Sequence, residues 1–547
     1  MTRQTGGQAV VETLVALGVE RVFGIVSVHN LPIADAILRD GRITWHPVRH
    51  EQAAVHAADG CARATGRLGV AITSTGPGAA NAMGGLFEAA YASSRVLMIT
   101  GQVESAFIGR GVGFLHEADR QADMLRSVCR SVQTVRSRAE LADVLAFVAA
   151  DILSGRPQPG AVEIPIDLQQ AEHDDGLVNV RTITAVTPPA AAIEAAAQLL
   201  HGAKRALIVA GGGVITAGAG DELTALAELL DAPVITSIDG RGSISEDHRL
   251  ALGPNSDLTA MDPLFATADV VLAVGTRFQQ ATPVQRALTL PGRLIHLDAD
   301  ATVFGKVHKP SLTLTGDARL GLAALIDSIG TAARSSDASY LSLAADARSK
   351  AHADARSNMG ADFEQIMQSI RLHLPEDGIV VKDATISSYI WANRRLPVLQ
   401  PRTSMRATSM AIGPALPLGI GAAAGTGRPT VVIHGDGGIM LTIGELATAV
   451  QLEVPLVVCV FNDRGYGILR YMQNAAFGGR LIGVDLVTPD FAVLAGSVGM
   501  DSVNVSSAAA FDTAFAAAIE SGRPWLLDVD ITGFEQMQIR PQQPAVR

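Results

Sequence analysis

"GDGGIMLTIGELATAVQLEVPLVVCVFNDRGYG", residues 435–467, puts an acid inside a glycine turn, then a helical pattern, an apolar strand and a second glycine turn opened by Asn462-Asp463. The preceding "TVVIH" reads as a strand, so Gly435-Asp436-Gly437-Gly438 is a strand-to-helix turn, with the helix expected from about Thr442. Glycines there let backbone N–H groups approach an anion, and a helix N-terminus favours phosphate. "PLVVCVFND" reads as the next parallel strand, whose C-terminal end lies beside that of the first, so Asp463 arrives near Asp436. A carboxylate on each of two strand ends, with the Gly465 carbonyl, describes a Mg²⁺ or Ca²⁺ site that shares its ion with a diphosphate. An ordinary α/β crossover with polar strand ends accounts for a lone GDG. The Asn-Asp-x-Gly arriving 27 positions after Asp436 favours the metal site.

The same alternation of apolar strand and amphipathic helix extends outward through all 547 residues, which at about 100–200 residues per domain fits three domains. In the first block "RVFGIV", "GVAITST" and "RVLMITG" read as buried parallel strands. The second carries "ALIVAGGG", "APVITS", "VVLAVGT" and "LIHLDAD", and the third "GIVVKDA", "PTVVIHGDGG" and "PLVVCVFND". The polar segment 171–189 reads as a linker, and 333–358 as a helical lead-in to the third block. The expectation is an α/β protein of three doubly wound parallel-sheet domains, at 1–170, 186–332 and 356–540. The first and third are alike and flank a Rossmann-like second.

Bulk properties narrow the function classes. A net charge of -11 argues against nucleic acid as a partner. The most apolar long run, Met410 to Gly425, is broken by Pro414 and Pro417 and is too short to span a bilayer, so no membrane partner is expected. The N-terminus lacks the pattern of a secretory signal. Cys61, Cys129 and Cys459 have neither zinc nor disulfide spacing. A reduced, cytoplasmic protein is the expectation.

GDG, then 24 residues, then ND and RGYG resembles the cofactor-binding motif of the thiamine diphosphate (ThDP) enzymes, a group that includes acetolactate synthase and benzoylformate decarboxylase. That family normally ends the motif in Asn-Asn, where this chain has Asp463. "RHEQAAVHAADGCARATGRLGV" (49–70), "STGPGAANAMGGLFEAAYASSRVLMITGQV" (74–103) and "ATSMAIGPALPLGIGAAAG" (407–425) resemble further family segments in the right order, over nearly the whole chain. The resemblance makes the first domain pyrimidine-binding and the third diphosphate-binding. It implies metal ligation of Mg²⁺ by Asp436, Asp463 and the Gly465 carbonyl.

The family's chemistry needs a carbanion at the thiazolium C2, and the protein positions and polarises the cofactor that supplies it. By the resemblance Glu51 hydrogen-bonds the aminopyrimidine ring and favours its imino form. Ile412 lies under the bend of the cofactor, and the Met410 carbonyl accepts from its amino group. The diphosphate lies against Gly437, Gly438, Thr385 and Ser387, with Gly467 and Ile468 completing the cofactor contacts. Glu51 and Asp436 then come from different chains, which implies a homodimer with shared active sites, paired into a tetramer.

Three positions face substrate by resemblance. "FGIVSVHNLP" (23–32) has Val26-Ser27 for the usual Pro-Gly and adds His29. "GRGVGFLHEADRQ" (109–121) has His116 where acetolactate synthases have glutamine, and "GYGILRYMQ" (465–473) supplies Ile468, Leu469 and Met472 as an apolar wall. Some relatives carry a catalytic glutamate at the position of Leu469. Its loss leaves His29 and His116 as the candidates for proton transfer. The reaction expected is decarboxylation of a 2-oxo acid, ending in an aldehyde or an acyloin. The alternatives are a 2-hydroxyacyl-CoA or other ketol lyase and, on "VAGGGVITAGAG" and "HLDAD" alone, an NAD-dependent oxidoreductase. "GTRFQQATP" (275–283) stands where acetolactate synthases often read GxRFDDRVTG. Loss of the Asp-Asp-Arg argues against FAD and leaves the central domain empty or holding ADP or CoA.

Overall fold

The computed structural model describes residues 2–537 except 176–177, 179, 182, 280–287, 289, 291, 331–336 and 536. Residues 331–332 and 538–540, at the expected ends of the second and third domains, therefore lie outside it. Three six-stranded parallel sheets follow one another along the chain, each with helices packed on it. From edge to edge the first runs Thr44–Pro47, Arg21–Gly24, Gly69–Thr73, Val96–Gln102, Gly160–Pro165 and Ser131–Thr134. The third runs Ser404–Arg406, Ile379–Lys382, Thr430–Gly435, Leu456–Asn462, Trp525–Asp530 and Asp501–Val505. Taken in chain order both read 2-1-3-4-6-5. The central sheet, Ala251–Gly253, Val234–Thr236, Ala206–Ala210, Val270–Val274, Leu294–Asp298 and Leu312–Thr315, reads 3-2-1-4-5-6, the Rossmann order.

Strands such as Gly69–Thr73, Val96–Gln102 and Val270–Val274 are buried at every position, which is why they read as unbroken apolar runs. In an open parallel sheet, ligands bind beyond the carboxyl ends of the strands where the order reverses. In the first sheet that switch lies between Arg21–Gly24 and Gly69–Thr73, so it presents the loops that start at Ile25 and Ser74. In the third it lies between Ile379–Lys382 and Thr430–Gly435, so it presents Asp383 onward and Asp436 onward.

Two expectations need correction. The 171–189 segment is not all linker: Glu172–Asp175 pairs antiparallel with Thr2–Thr5, a ribbon too polar for its sequence to announce. The helix expected from about Thr442 is two pieces, Asp436–Ile439 and Glu445–Gln451. Between them the Thr442 hydroxyl donates to the Gly413 carbonyl (2.9 Å), which draws the chain out of helical register. The lead-in to the third domain is helical over Ala338–Met359. Among the described residues no helix is long and apolar enough to cross a membrane.

The first and third domains meet where helix Glu51–Thr65 crosses helix Ala415–Thr426. A Cβ on Gly60 would overlap the Leu418 carbonyl, and one on Gly421 the Ala57 carbonyl, so the two backbones touch. Gly60→Ala must force them apart. It is expected to destabilise the pair by about 1–3 kcal/mol, seen as a lower thermal midpoint; an unchanged midpoint would contradict this crossing.

Candidate active site

Next to the third sheet's switch, Gly435 and Phe461 are register partners on the neighbouring strands Thr430–Gly435 and Leu456–Asn462, so the next turns start side by side. Asp436 Oδ2 accepts the Gly465 N–H (2.7 Å), and the Asp463 carboxyl faces that of Asp436. Burial, and then the facing Asp463 carboxylate, raises the Asp436 pKa above the ordinary carboxylate range. Burial raises that of Asp463 too, although Arg470 beside it opposes the shift. Two hard-oxygen donors that press on each other's charge, with a backbone turn between them, are a donor set that a divalent cation satisfies. The Asp463 carboxylate lies directly on Gly467, where any side chain would collide with it. Ile386 also packs there, which brings the 385–387 segment to the same turn. The Thr385 hydroxyl stands over Gly435 (2.9 Å from a Cβ placed there), and the buried hydroxyl of Ser387 has no partner. Tyr466 covers Gly437 from outside. An oxygen-rich turn, two acids and an unpartnered hydroxyl fit a metal-bound diphosphate.

The segment that leads to Ile412 approaches the same turn. Met410 has a left-handed backbone (φ 66°) and Gly413 a positive φ of 102°, with half-buried Ile412 between them. Leu469 and Met472 are exposed on helix Gly467–Phe477, which buries none of its side chains.

Beyond the edge strand Thr44–Pro47 of the first sheet, Glu51 opens helix Glu51–Thr65, where a carboxylate suits the helix dipole. It is 9% exposed, accepts from Asn81 Nδ2 (3.1 Å) and lies against Gly78. His29 is buried and His116 exposed, yet their rings stand 5.3 Å apart. Burial, then the His116 charge, lowers the His29 pKa below the ordinary 6.5, against a hydrogen bond that the ring donates to the Leu115 backbone.

Sequence reading missed three residues that hold this arrangement. Asn30 shapes the first loop: its Oδ1 accepts from Ser27 N (2.8 Å) and its Nδ2 donates to the Ile25 carbonyl (3.0 Å). Gln121, 2% exposed, accepts from Gly76 N (2.6 Å) and Thr75 Oγ1 (2.8 Å) and donates to the Gly101 carbonyl (3.2 Å) and Glu163 Oε1 (2.9 Å). Gly76 packs on the backbone of His116 and Gly101 on that of His29, so one amide ties both histidine supports together. No local pattern marks either residue. The third, Asp383, is an acid at a strand end, the same signal that singled out Asp436.

Where the central domain meets the other two, a cavity of about 720 Å³ is lined by Gly212, Gly213, Thr276, Arg277 and Asp298 of the central domain together with Arg63 of the first and Arg406 of the third. The expectation about FAD rests on residues 275–283, of which 280–283 lie outside the described residues.

The thiamine pyrophosphate enzyme family matches the chain three times: its N-terminal TPP binding domain over residues 4–124, its central domain over 193–325 and its C-terminal TPP binding domain over 386–529. The chain belongs to this family. It is 35% identical to a probable 2-ketoarginine decarboxylase of Pseudomonas aeruginosa, over 90% of this chain and 88% of the relative. It is 32% identical to a probable acetolactate synthase large subunit of Methanocaldococcus jannaschii (98% and 93% covered), and 30% identical to the acetolactate synthase isozyme 3 large subunit of Escherichia coli (99% and 97%). The protein is thus a thiamine diphosphate enzyme of the acetolactate synthase-like group, with the three α/β domains its sequence implied. The NAD reading gives way to this membership.

The histidine pair yields a direct test. Removing the His116 charge leaves burial as the main influence on His29, so His116→Ala should raise the His29 pKa toward 6.5. NMR titration of ring-labelled histidines reads the shift; a lower or unmoved value would contradict the pairing.

Proposed function

We propose that this protein is a ThDP- and Mg²⁺-dependent enzyme of 2-oxo acid chemistry, a decarboxylase or acyloin-forming carboligase, working in the cytoplasm as a homodimer with shared sites that pairs into a tetramer. The observation that carries the reading is the facing of Asp436 and Asp463 at adjacent strand ends, with Gly465 in the same turn. Their oxygens and the Gly465 carbonyl would hold the cation. Gly437, Gly438, Thr385, Ser387, Gly467 and Ile468 would hold the diphosphate, and Met410 and Ile412 the pyrimidine end. When bound, thiamine diphosphate supplies the electron sink that lets a 2-oxo acid lose CO₂.

Glu51, which Asn81 and Gly78 hold in place, would hydrogen-bond the aminopyrimidine. His29, held below its ordinary pKa, is neutral near pH 7 and takes a proton at its buried, unpartnered Nδ1. His116 is the ring beside it that carries the proton on to solvent or product. Leu469 and Met472 form an apolar wall that keeps water from the reacting carbon. The relative named a 2-ketoarginine decarboxylase supports decarboxylation of a 2-oxo acid.

Support for a shared site comes from exposed apolar side chains near both half-sites. Val26, Val28, Val112 and Leu115 belong to the first domain, and Leu441, Leu469 and Met472 to the third. A second copy of the chain is the occupant that would cover them.

A panel of 2-oxo acids with ThDP and Mg²⁺ should give CO₂ with an aldehyde or acyloin, and no reduction of NAD. Cleavage of a 2-hydroxyacyl-CoA instead would move the assignment to the lyase. On the accepted substrate Glu51→Gln and Asp436→Ala should each be inactive, and mixing the two chains should restore some activity through hybrid sites. No recovery in demonstrably mixed oligomers would contradict sharing.

A further inference from the structure

Asp383 takes no part in the contacts proposed above, yet it sits between the two halves of the cofactor site. It closes strand Ile379–Lys382 and is 3% exposed. Its carboxylate accepts Gly413 N with both oxygens (2.9 and 3.1 Å), Ala415 N (3.1 Å) and Ala384 N (2.8 Å). On its other side it meets the glycine turn. A Cβ on Gly438 would stand 3.1 Å from its Oδ1, and buried His434 Nε2 lies 3.3 Å from its Oδ2 without a hydrogen-bonding partner. One carboxylate therefore touches both the turn assigned to the diphosphate and the segment assigned to the pyrimidine.

That segment needs holding. Met410 at φ 66° is a non-glycine residue in left-handed backbone, and such a conformation persists only where its surroundings over-determine it. Gly413 at φ 102° closes the bend. Asp383 fixes the N–H of Gly413, and Thr442, which follows the glycine turn, fixes its carbonyl (2.9 Å). The peptide groups around Gly413 are thus pinned from both sides to elements of the diphosphate turn.

We propose that Asp383 is a positioning residue: a clamp that sets the distance and angle between the segment bearing Met410 and Ile412 and the turn bearing Gly437 and Gly438, so that a ligand bound at both ends meets a preformed site. The inference rests on the thiamine diphosphate reading. A two-ended ligand gains from such pre-organisation, because its second end then binds at high effective concentration. A ligand that occupies only the turn gains nothing from it.

Calorimetric titration of the full-length protein with ThDP, and separately with inorganic pyrophosphate, both with Mg²⁺, separates these cases. Asp383→Asn turns an amide N–H₂ toward backbone donors and breaks part of the clamp. It should weaken ThDP by about tenfold or more, the scale of a lost charge-assisted hydrogen bond, and leave pyrophosphate affinity within about threefold of the parent. An unchanged ThDP affinity, or an equal loss for both ligands, would overturn the clamp; equal loss would make Asp383 a plain part of the anion turn. Should Asp383→Asn fail to fold, Thr442→Val removes the hydroxyl that holds Gly413 from the other side. It should show the same split, and equal or absent effects there would again overturn the proposal. A parent protein that binds pyrophosphate but not ThDP would overturn the cofactor reading itself, and the clamp with it.

Discussion

Two carboxylates forced together at the ends of neighbouring buried strands are the constraint on which the third domain is built. Asp436 and Asp463 are placed by register, since Gly435 and Phe461 pair across the sheet and the chain turns immediately after each strand. Burial raises both pKa values, and the facing Asp463 charge raises that of Asp436 further, so the arrangement is unfavourable for two free anions. On the proposed reading a divalent cation would relieve that cost, and the glycines of the turn would leave backbone room for a diphosphate. Asp463 adds negative charge to the turn, and Arg470 at 3.5 Å partly offsets it.

The first and third domains share one strand order and use it alike. Each presents functional loops where the order reverses, and the two helices behind those switches, Glu51–Thr65 and Ala415–Thr426, pack backbone to backbone. The Glu51 helix is thereby fixed relative to the segment bearing Met410 and Ile412. Arg63 strengthens this link: it pairs with Asp59 and Glu88, while Glu88 accepts the backbone N–H groups of Thr408 and Ser409. A buried ion pair of this kind contributes more to geometry than to net stability.

Much of this was legible in the sequence, for identifiable reasons. Parallel strands buried on both faces are apolar throughout, so inner strands such as Gly69–Thr73, Val270–Val274 and Leu456–Asn462 were readable, whereas half-exposed edge strands such as Thr44–Pro47, Leu312–Thr315 and Asp501–Val505 were not. The GDG and ND turns were readable because acids in glycine-rich turns at strand ends have few structural uses. The Thr2–Thr5 and Glu172–Asp175 ribbon was not, since neither strand buries an apolar face and the pairing spans most of a domain. The split helix after Asp436 depends on one hydroxyl meeting a carbonyl some thirty residues away in sequence. Gln121 and Asn30 act through contacts with distant backbone that no spacing encodes.

The central claim is that Glu51 activates a cofactor anchored by the Asp436 turn. Exchange of the thiazolium C2 proton of bound ThDP with D₂O, read by NMR after rapid acid quench, tests it most directly. Glu51→Gln keeps shape and a hydrogen bond but loses the carboxylate. The account predicts that this variant still binds ThDP while exchange slows by about a hundredfold or more, within the range of a positioned acid–base group. Exchange at the parent rate would contradict it.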